Sequence, residues 1–202
     1  MTIRGIFFDF GGVLVRTEDK IPRARLAESL GLSVREIEQI VFEGDSAVQA
    51  TIGAIPEAQH WQDVTARLGL PESELPRLRQ EFFGGDDWDR ELFDFLHALR
   101  RTHKVGLISN AWTGLRKVIA NHGFTESFDV MIISAEVGVA KPDARIYRLA
   151  LEKLGVAPQE AVFVDDVGAN VDSARAVGMQ AIQFTRPQLV LDELKALLTN
   201  HR

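Results

Sequence analysis

Four short clusters of polar residues carry the chemistry open to this sequence: Asp9 with Gly11 and Gly12 behind it, Ser109-Asn110, Lys141-Pro142, and Asp165-Asp166 with Asn170. If Asp9 and Asp166 meet, two carboxylates share one place. Like charges at short range are costly, so one must take a proton or a cation must sit between them. Oxygen ligands with few protein contacts suit magnesium, which keeps waters and accepts phosphate oxygens. Lys141 would bring a positive charge, and Ser109-Asn110 would stand just before a helix N-terminus, a natural place for an anion. Together these groups describe a phosphate pocket. A carboxylate aimed at that phosphate can attack it and form an aspartyl phosphate. Taken singly, each cluster has a plainer reading as a helix cap or a solvated charge. Their common placement decides between the two.

That placement comes from the elements around them. Ile3, Ile6, Phe7 and Phe8 form a short apolar run without proline, as in a strand covered on both faces, and Asp9 ends it. Val105–Ile108, Val130–Ile133, Ala161–Val164 and Ala181–Phe184 read the same way, and three of these runs end at Ser109-Asn110, Ser134 and Asp165-Asp166. Helical periods separate them: Trp88–Arg101, a stretch from Leu115 to Gly123, a long helix opened by Lys141-Pro142-Asp143 and closed by Gly155, one running to Val177, and Leu189–Leu198. Alternating strands and helices predict an α/β architecture with a parallel sheet covered on both faces. In such a sheet the carboxyl ends of the strands share one side, and ligands bind there. The glycines behind Asp9 allow a tight turn and close backbone approach.

Between Arg16 and Asp87 the texture is polar and helical, with no strand pattern. Four helices are expected: one around Leu26 and Leu30, one opened by a Ser33–Glu36 capping box, one from Ile55-Pro56-Glu57 carrying Trp61, Val64 and Leu68, and one over Pro71–Phe83. Gly84-Gly85-Asp86-Asp87 reads as the return hinge. The expected organisation is a Rossmann-like core of residues 1–15 and 88–202 with an inserted helical cap of residues 16–87. Glu43-Gly44-Asp45 is either a loop over the pocket or an ordinary helix–helix turn, and Trp112 either lines the pocket or packs.

Bulk properties fit this picture. The 202 residues suit one domain with an insertion, and a net charge of −6 argues against a nucleic-acid or anionic-membrane surface. With no cysteine there is neither a disulfide framework nor thiolate chemistry. Neither a signal peptide nor a spanning apolar run is read, so the expectation is a cytoplasmic protein, monomer or homodimer, with no membrane partner.

The four clusters, in this order, resemble the motifs of the haloacid dehalogenase superfamily, in the branch with a helical cap after the first strand. Asp165-Asp166-Val167-Gly168-Ala169-Asn170 is similar to the phosphatase-type domain of soluble epoxide hydrolase and to small bacterial sugar-phosphate phosphatases. The resemblance implies a Mg2+-dependent hydrolase of a small phosphorylated metabolite. In it Asp9 is the nucleophile, Ser109 and Asn110 hold the phosphoryl group, and Lys141 neutralises nucleophile and phosphate. Asp9, Asp166 and the Gly11 carbonyl ligate the metal, with Asp165 and Asn170 behind them. One departure stands out: phosphatases of the superfamily carry an aspartate two residues after the nucleophile, as general acid and then base, and here that position is Gly11. Such help is typically worth about a hundred- to ten-thousand-fold in rate. Three outcomes follow: a bias toward activated esters, a substitute such as Asp165, Glu18, Asp19, Glu43 or Asp45, or a protein that binds phospholigands without turnover. Dehalogenation of a 2-haloacid is a further alternative, but it leaves Asp166 without a purpose.

Overall fold

The computed structural model describes residues 2–199. Its centre is β1 (Gly5–Phe8), buried along its whole length. The chain continues through β2 (Val15–Thr17) into α1 (Ile21–Ser29), α2 (Val34–Glu38), a π-helical stretch at Gln39–Glu43, α3 (Asp45–Thr51), α4 (Glu57–Arg67) and α5 (Leu75–Phe83). It returns through β3 (Asp86–Trp88) to α6 (Arg90–Leu99), β4 (Lys104–Ser109), α7 (Leu115–Asn121), β5 (Val130–Ile133) and α8 (Ser134–Val137). The elements α9 (Ala144–Leu154), β6 (Ala161–Asp165), α10 (Gly168–Ala176), β7 (Gln180–Gln183) and α11 (Pro187–Thr199) complete it.

The five-stranded sheet has the order β5-β4-β1-β6-β7, with all pairs parallel. This is the α/β architecture expected. Successive side chains of β1 point to opposite faces. Ile6 and Phe8 join one core with Leu92, Leu96, Val162 and Leu194, whereas Phe7 joins the other with Ile146, Tyr147, Phe163 and Ala174. Both faces are therefore apolar, and the polar residues are displaced to the strand ends.

The helices between β2 and β3 form a third apolar core of their own, including Leu26, Ile37, Val41, Trp61, Val64, Leu78 and Phe82. The Ser33–Glu36 capping box is present, with the Ser33 hydroxyl accepting from the Glu36 N–H at 3.2 Å. Three features differ from the sequence expectation. The block has a further helix, α3, and Gly44 is an ordinary junction between the π-helical stretch and that helix. The chain enters and leaves the block through an antiparallel ribbon, Val15–Thr17 against Asp86–Trp88, where no strand was expected. Aspartates are poor strand formers, so the ribbon shows no strand pattern. It is held by side chains: Thr17 Oγ1 donates to Asp86 Oδ1 at 2.6 Å, and Arg16 and Arg23 reach Asp89 and Asp86. Gly85 lies so close to the Asp19 carbonyl that a Cβ there would overlap it. Finally, Pro142 does not occupy the first turn of α9. The Lys141–Pro142 bond is cis, and the helix begins at Ala144 with Asp143 as its N-cap.

Candidate active site

Asp9 follows the last residue of β1, and its N–H donates to the Val164 carbonyl at 2.8 Å, continuing the pairing with β6 by one residue. Because β4 and β6 flank β1, Ser109 and Asp165 end the two strands on either side of it. Lys141 arrives from the loop before α9. Its Nζ lies 2.7 Å from Asp9 Oδ1 and 2.6 Å from Asp165 Oδ2, with the lysine side chain 1% exposed. One oxygen from each of Asp9, Asp165 and Asp166 lies within 4.8 Å of the others. Three carboxylates thus surround one ammonium, a deficit of two positive charges.

The partners differ among the three. Asp165 is fully buried; its Oδ1 accepts from the Val167 N–H at 2.8 Å and from Asn170, and its Oδ2 from Asn170 and Lys141. Both oxygens are occupied, so Asp165 orients its neighbours. Asp9 Oδ1 accepts from the Phe10 N–H at 2.7 Å as well as from Lys141, which leaves Oδ2 for other chemistry. Burial raises the Asp9 carboxyl to about 6; Lys141 opposes the rise, and the Asp165 charge adds to it. The partly exposed Asp166 carboxyl is also raised, chiefly by burial and then by Asp165. It lies against Gly12, whose φ is +79° and where a Cβ would overlap the carboxylate. Gly11 differs: a Cβ built there meets nothing within 4 Å.

Ser109 is buried at the end of β4. The Asn110 side chain brackets the backbone of Lys141, with Nδ2 donating to the Lys141 carbonyl at 2.8 Å and Oδ1 accepting from its N–H at 2.7 Å. Two further contacts, invisible in the sequence clusters, fix the same loop. Buried Ser134, at the start of α8, accepts from the Ala111 N–H at 3.0 Å. Glu57 of the helical block accepts from the Gly114 N–H at 2.9 Å. Trp112 inserts into the aromatic cluster of the block, 4.5 Å from the His60 ring and 5.4 Å from that of Trp61. Sequence signals for these were faint: a serine ending the third run, and a glutamate beside a proline.

The chain matches the family of haloacid dehalogenase-like hydrolases over residues 3–178. It is 29% identical over 216 residues to bifunctional epoxide hydrolase 2 of Sus scrofa, covering 96% of this chain and 39% of that one. It is also 29% identical over 196 residues to the phosphatase MT3486 of Mycobacterium tuberculosis, covering 92% and 89% of the two chains. Among solved structures, a HAD family enzyme of Bacteroides thetaiotaomicron in complex with magnesium and inorganic phosphate shares the fold, with a TM-score of 0.77 at 22% identity over 91% of this chain and 94% of that one. The chain spans 19% and 39% of the length of two longer curated relatives. Among the described residues no helix is long and apolar enough to cross a membrane. With the family match spanning its strands β1 to β6 and their carboxylates, this chain belongs to the haloacid dehalogenase-like hydrolases.

Proposed function

We propose that this protein is a magnesium-dependent phosphatase acting on small phosphomonoesters through phosphorylation of Asp9. The observation that carries this reading is the cluster of three carboxylates around one ammonium. Its deficit of two positive charges fits a divalent cation, and its hard oxygen donors fit magnesium. Asp9, Asp166 and the Gly11 carbonyl would hold the ion, since both oxygens of Asp165 are already occupied. When bound, it supplies charge that neutralises phosphate and carboxylates together.

The residues of the chain do the rest. Lys141 and the Phe10 N–H hold Asp9 Oδ1, so Oδ2 faces the phosphorus. Oδ2 forms the new P–O bond as the bond to the leaving oxygen breaks. Ser109 and the Asn110 backbone receive the equatorial oxygens, at the loop that precedes α7. Water then attacks phosphorus, the bond to Asp9 breaks, and the carboxylate and phosphate are released. Asp165 and Asn170 keep Lys141 in place throughout. We take residues 16–87 as a cap, with Glu57 and Trp112 joining it to the phosphate-binding loop. The relatives support the reading: one is a phosphatase, and the Bacteroides enzyme was solved with magnesium and phosphate.

The test is release of p-nitrophenol from p-nitrophenyl phosphate with magnesium and with chelator. Release that needs magnesium and vanishes in Asp9→Asn is expected; a folded Asp9→Asn that still turns over refutes the mechanism. The open space at Gly11 favours a second reading, a binding protein without turnover. That reading predicts magnesium-dependent stabilisation by phosphate with no product.

A further inference from the structure

We infer that the site accepts phosphoryl compounds whose leaving group departs as a stabilised oxyanion, that is acyl, enol or aryl phosphates, because among the described residues no side chain of the crevice is placed to protonate it. The inference rests on the phosphatase reading and names its substrate class.

A proton donor to the leaving oxygen must be within hydrogen-bond reach of it and hold a proton to give. The groups around Asp9 fail on one count or the other. Asp165 is fully buried, with both oxygens engaged by hydrogen bonds from Lys141, Asn170 and the Val167 N–H, so neither is free to serve the leaving oxygen. Lys141 spends its protons on Asp9 and Asp165, between which it is enclosed. Asp166 belongs to the cation site. The backbone that leaves Asp9 presents no side chain at Gly11, and nothing from elsewhere fills the space a Cβ would occupy.

The acids of the connecting ribbon are engaged as well. Glu18 pairs with Arg16 at 2.8 Å, Asp19 accepts from the Ile21 N–H at 2.9 Å, Asp86 takes Thr17 and Arg23, and Asp89 holds Arg16 and the N-terminus of α6. In the helical block Asp45 lies exposed in the first turn of α3.

The chemistry balances without a donor. Asp9 Oδ2 bonds to phosphorus while the P–O bond to the leaving group breaks, and the electron pair of that bond stays on the departing oxygen. The departing group leaves as an oxyanion and, if it is basic enough, takes a proton from solvent afterwards. In the second half, water adds to phosphorus and both its hydrogens end on the phosphate as Asp9 is regenerated. An alkoxide is a poor departing anion, so alkyl esters lack the hundred- to ten-thousand-fold that an acid typically contributes. Carboxylates, enolates and acidic phenolates lose little.

The experiment measures kcat/KM, which reports the first irreversible step, with magnesium for acetyl phosphate, for aryl phosphates from dinitrophenyl to phenyl, and for glycerol phosphate. The expected result is a steep fall with rising leaving-group pKa, glycerol phosphate lying at least about a hundredfold below acetyl phosphate. Rapid quenching with intact-mass analysis should show phosphorylated Asp9 with acetyl phosphate and not with glycerol phosphate. Gly11→Asp, which the open space accommodates, should raise the phenyl and glycerol esters about a hundredfold or more relative to dinitrophenyl. A shallow dependence in the parent overturns the inference while the phosphatase reading stands. So does a folded Gly11→Asp that leaves the ratios unchanged, or a steeper slope in Glu18→Gln, Asp19→Asn, Glu43→Gln or Asp45→Asn. No turnover of any ester by either the parent or Gly11→Asp overturns both.

Discussion

Asp9→Asn should make this protein more stable in the absence of metal while removing its activity. The ionised Asp9 carboxylate is 7% exposed and shares Lys141 with Asp165. A carboxyl that titrates at about 6 instead of 3.8 is disfavoured as an anion by about 3 kcal/mol once the pH is above 6. The sign follows from linkage: the folded state binds this proton more tightly than the unfolded chain does. The contribution is fully present below 3.8 and is lost as pH rises through about 6. Asparagine never ionises, so at pH 7.5 it recovers that loss. Its oxygen can still accept from Phe10, and Lys141 retains Asp165. In a chain of 202 residues about 3 kcal/mol corresponds to roughly 6–12 °C in Tm. The assay is urea and thermal denaturation of parent and variant in chelator from pH 4 to 8. The gap should be full above pH 7, nearly full at 6, about half near 5 and nearly closed at 4. Magnesium should narrow it at pH 7.5 by stabilising the parent. An Asp9→Asn protein less stable than the parent in chelator at pH 7.5, or a gap independent of pH, refutes the reasoning.

Two further substitutions separate neighbouring roles. Gly12→Ala forces a side chain into a left-handed backbone and against the Asp166 carboxylate, and should cost about 1–3 kcal/mol and weaken magnesium-induced stabilisation at least tenfold; Gly11→Ala, in open space, should change stability by less than about 1 kcal/mol and leave that response intact. Glu57→Ala strips acceptors from the Gly114 N–H, Trp61 Nε1 and Arg79, and should cost about 1–3 kcal/mol in denaturation while speeding amide exchange at residues 110–114.

How much of this was legible in the sequence depends on the range of the forces involved. The five sheet strands were, because each is a run of apolar residues whose burial is decided locally, as in Val105–Ile108 and Ala161–Val164. The ribbon was not. Arg16-Thr17 and Asp86-Asp87 have little intrinsic preference for strand, and what holds them is the meeting of Thr17, Asp86 and Arg23 across the whole helical block. Nor was α3, because Val48 and Ile52 are exposed and blur the apolar stripe by which a helix is recognised. Pro142 suggested a helix start, yet the preceding residue has the stronger claim on the backbone. Lys141 is tied through its own N–H and carbonyl to Asn110, so the turn is set from β4 and the helix must wait until Asp143.

The same division runs through the site. Placing Asp9, Ser109 and Asp165-Asp166 at strand ends needs only the strands and the rule that parallel strands end together. The distribution of charge among them is a different kind of fact. Asp165 and Asp166 are adjacent and chemically identical, and apart from the family resemblance nothing in their sequence says which becomes the fully buried partner of Lys141 and which stays partly exposed against Gly12. Consecutive residues at a strand end point to opposite sides, so one carboxylate turns inward to Lys141 and Asn170 and the other outward. The inward one accepts four hydrogen bonds and is spent on holding the lysine. The outward one, against Gly12, is the carboxylate we assign to a metal ion. Exchanging their surroundings would cost the buried lysine its second anion, so a single lysine serves two strand ends and leaves an excess of negative charge that a proton or a cation would balance.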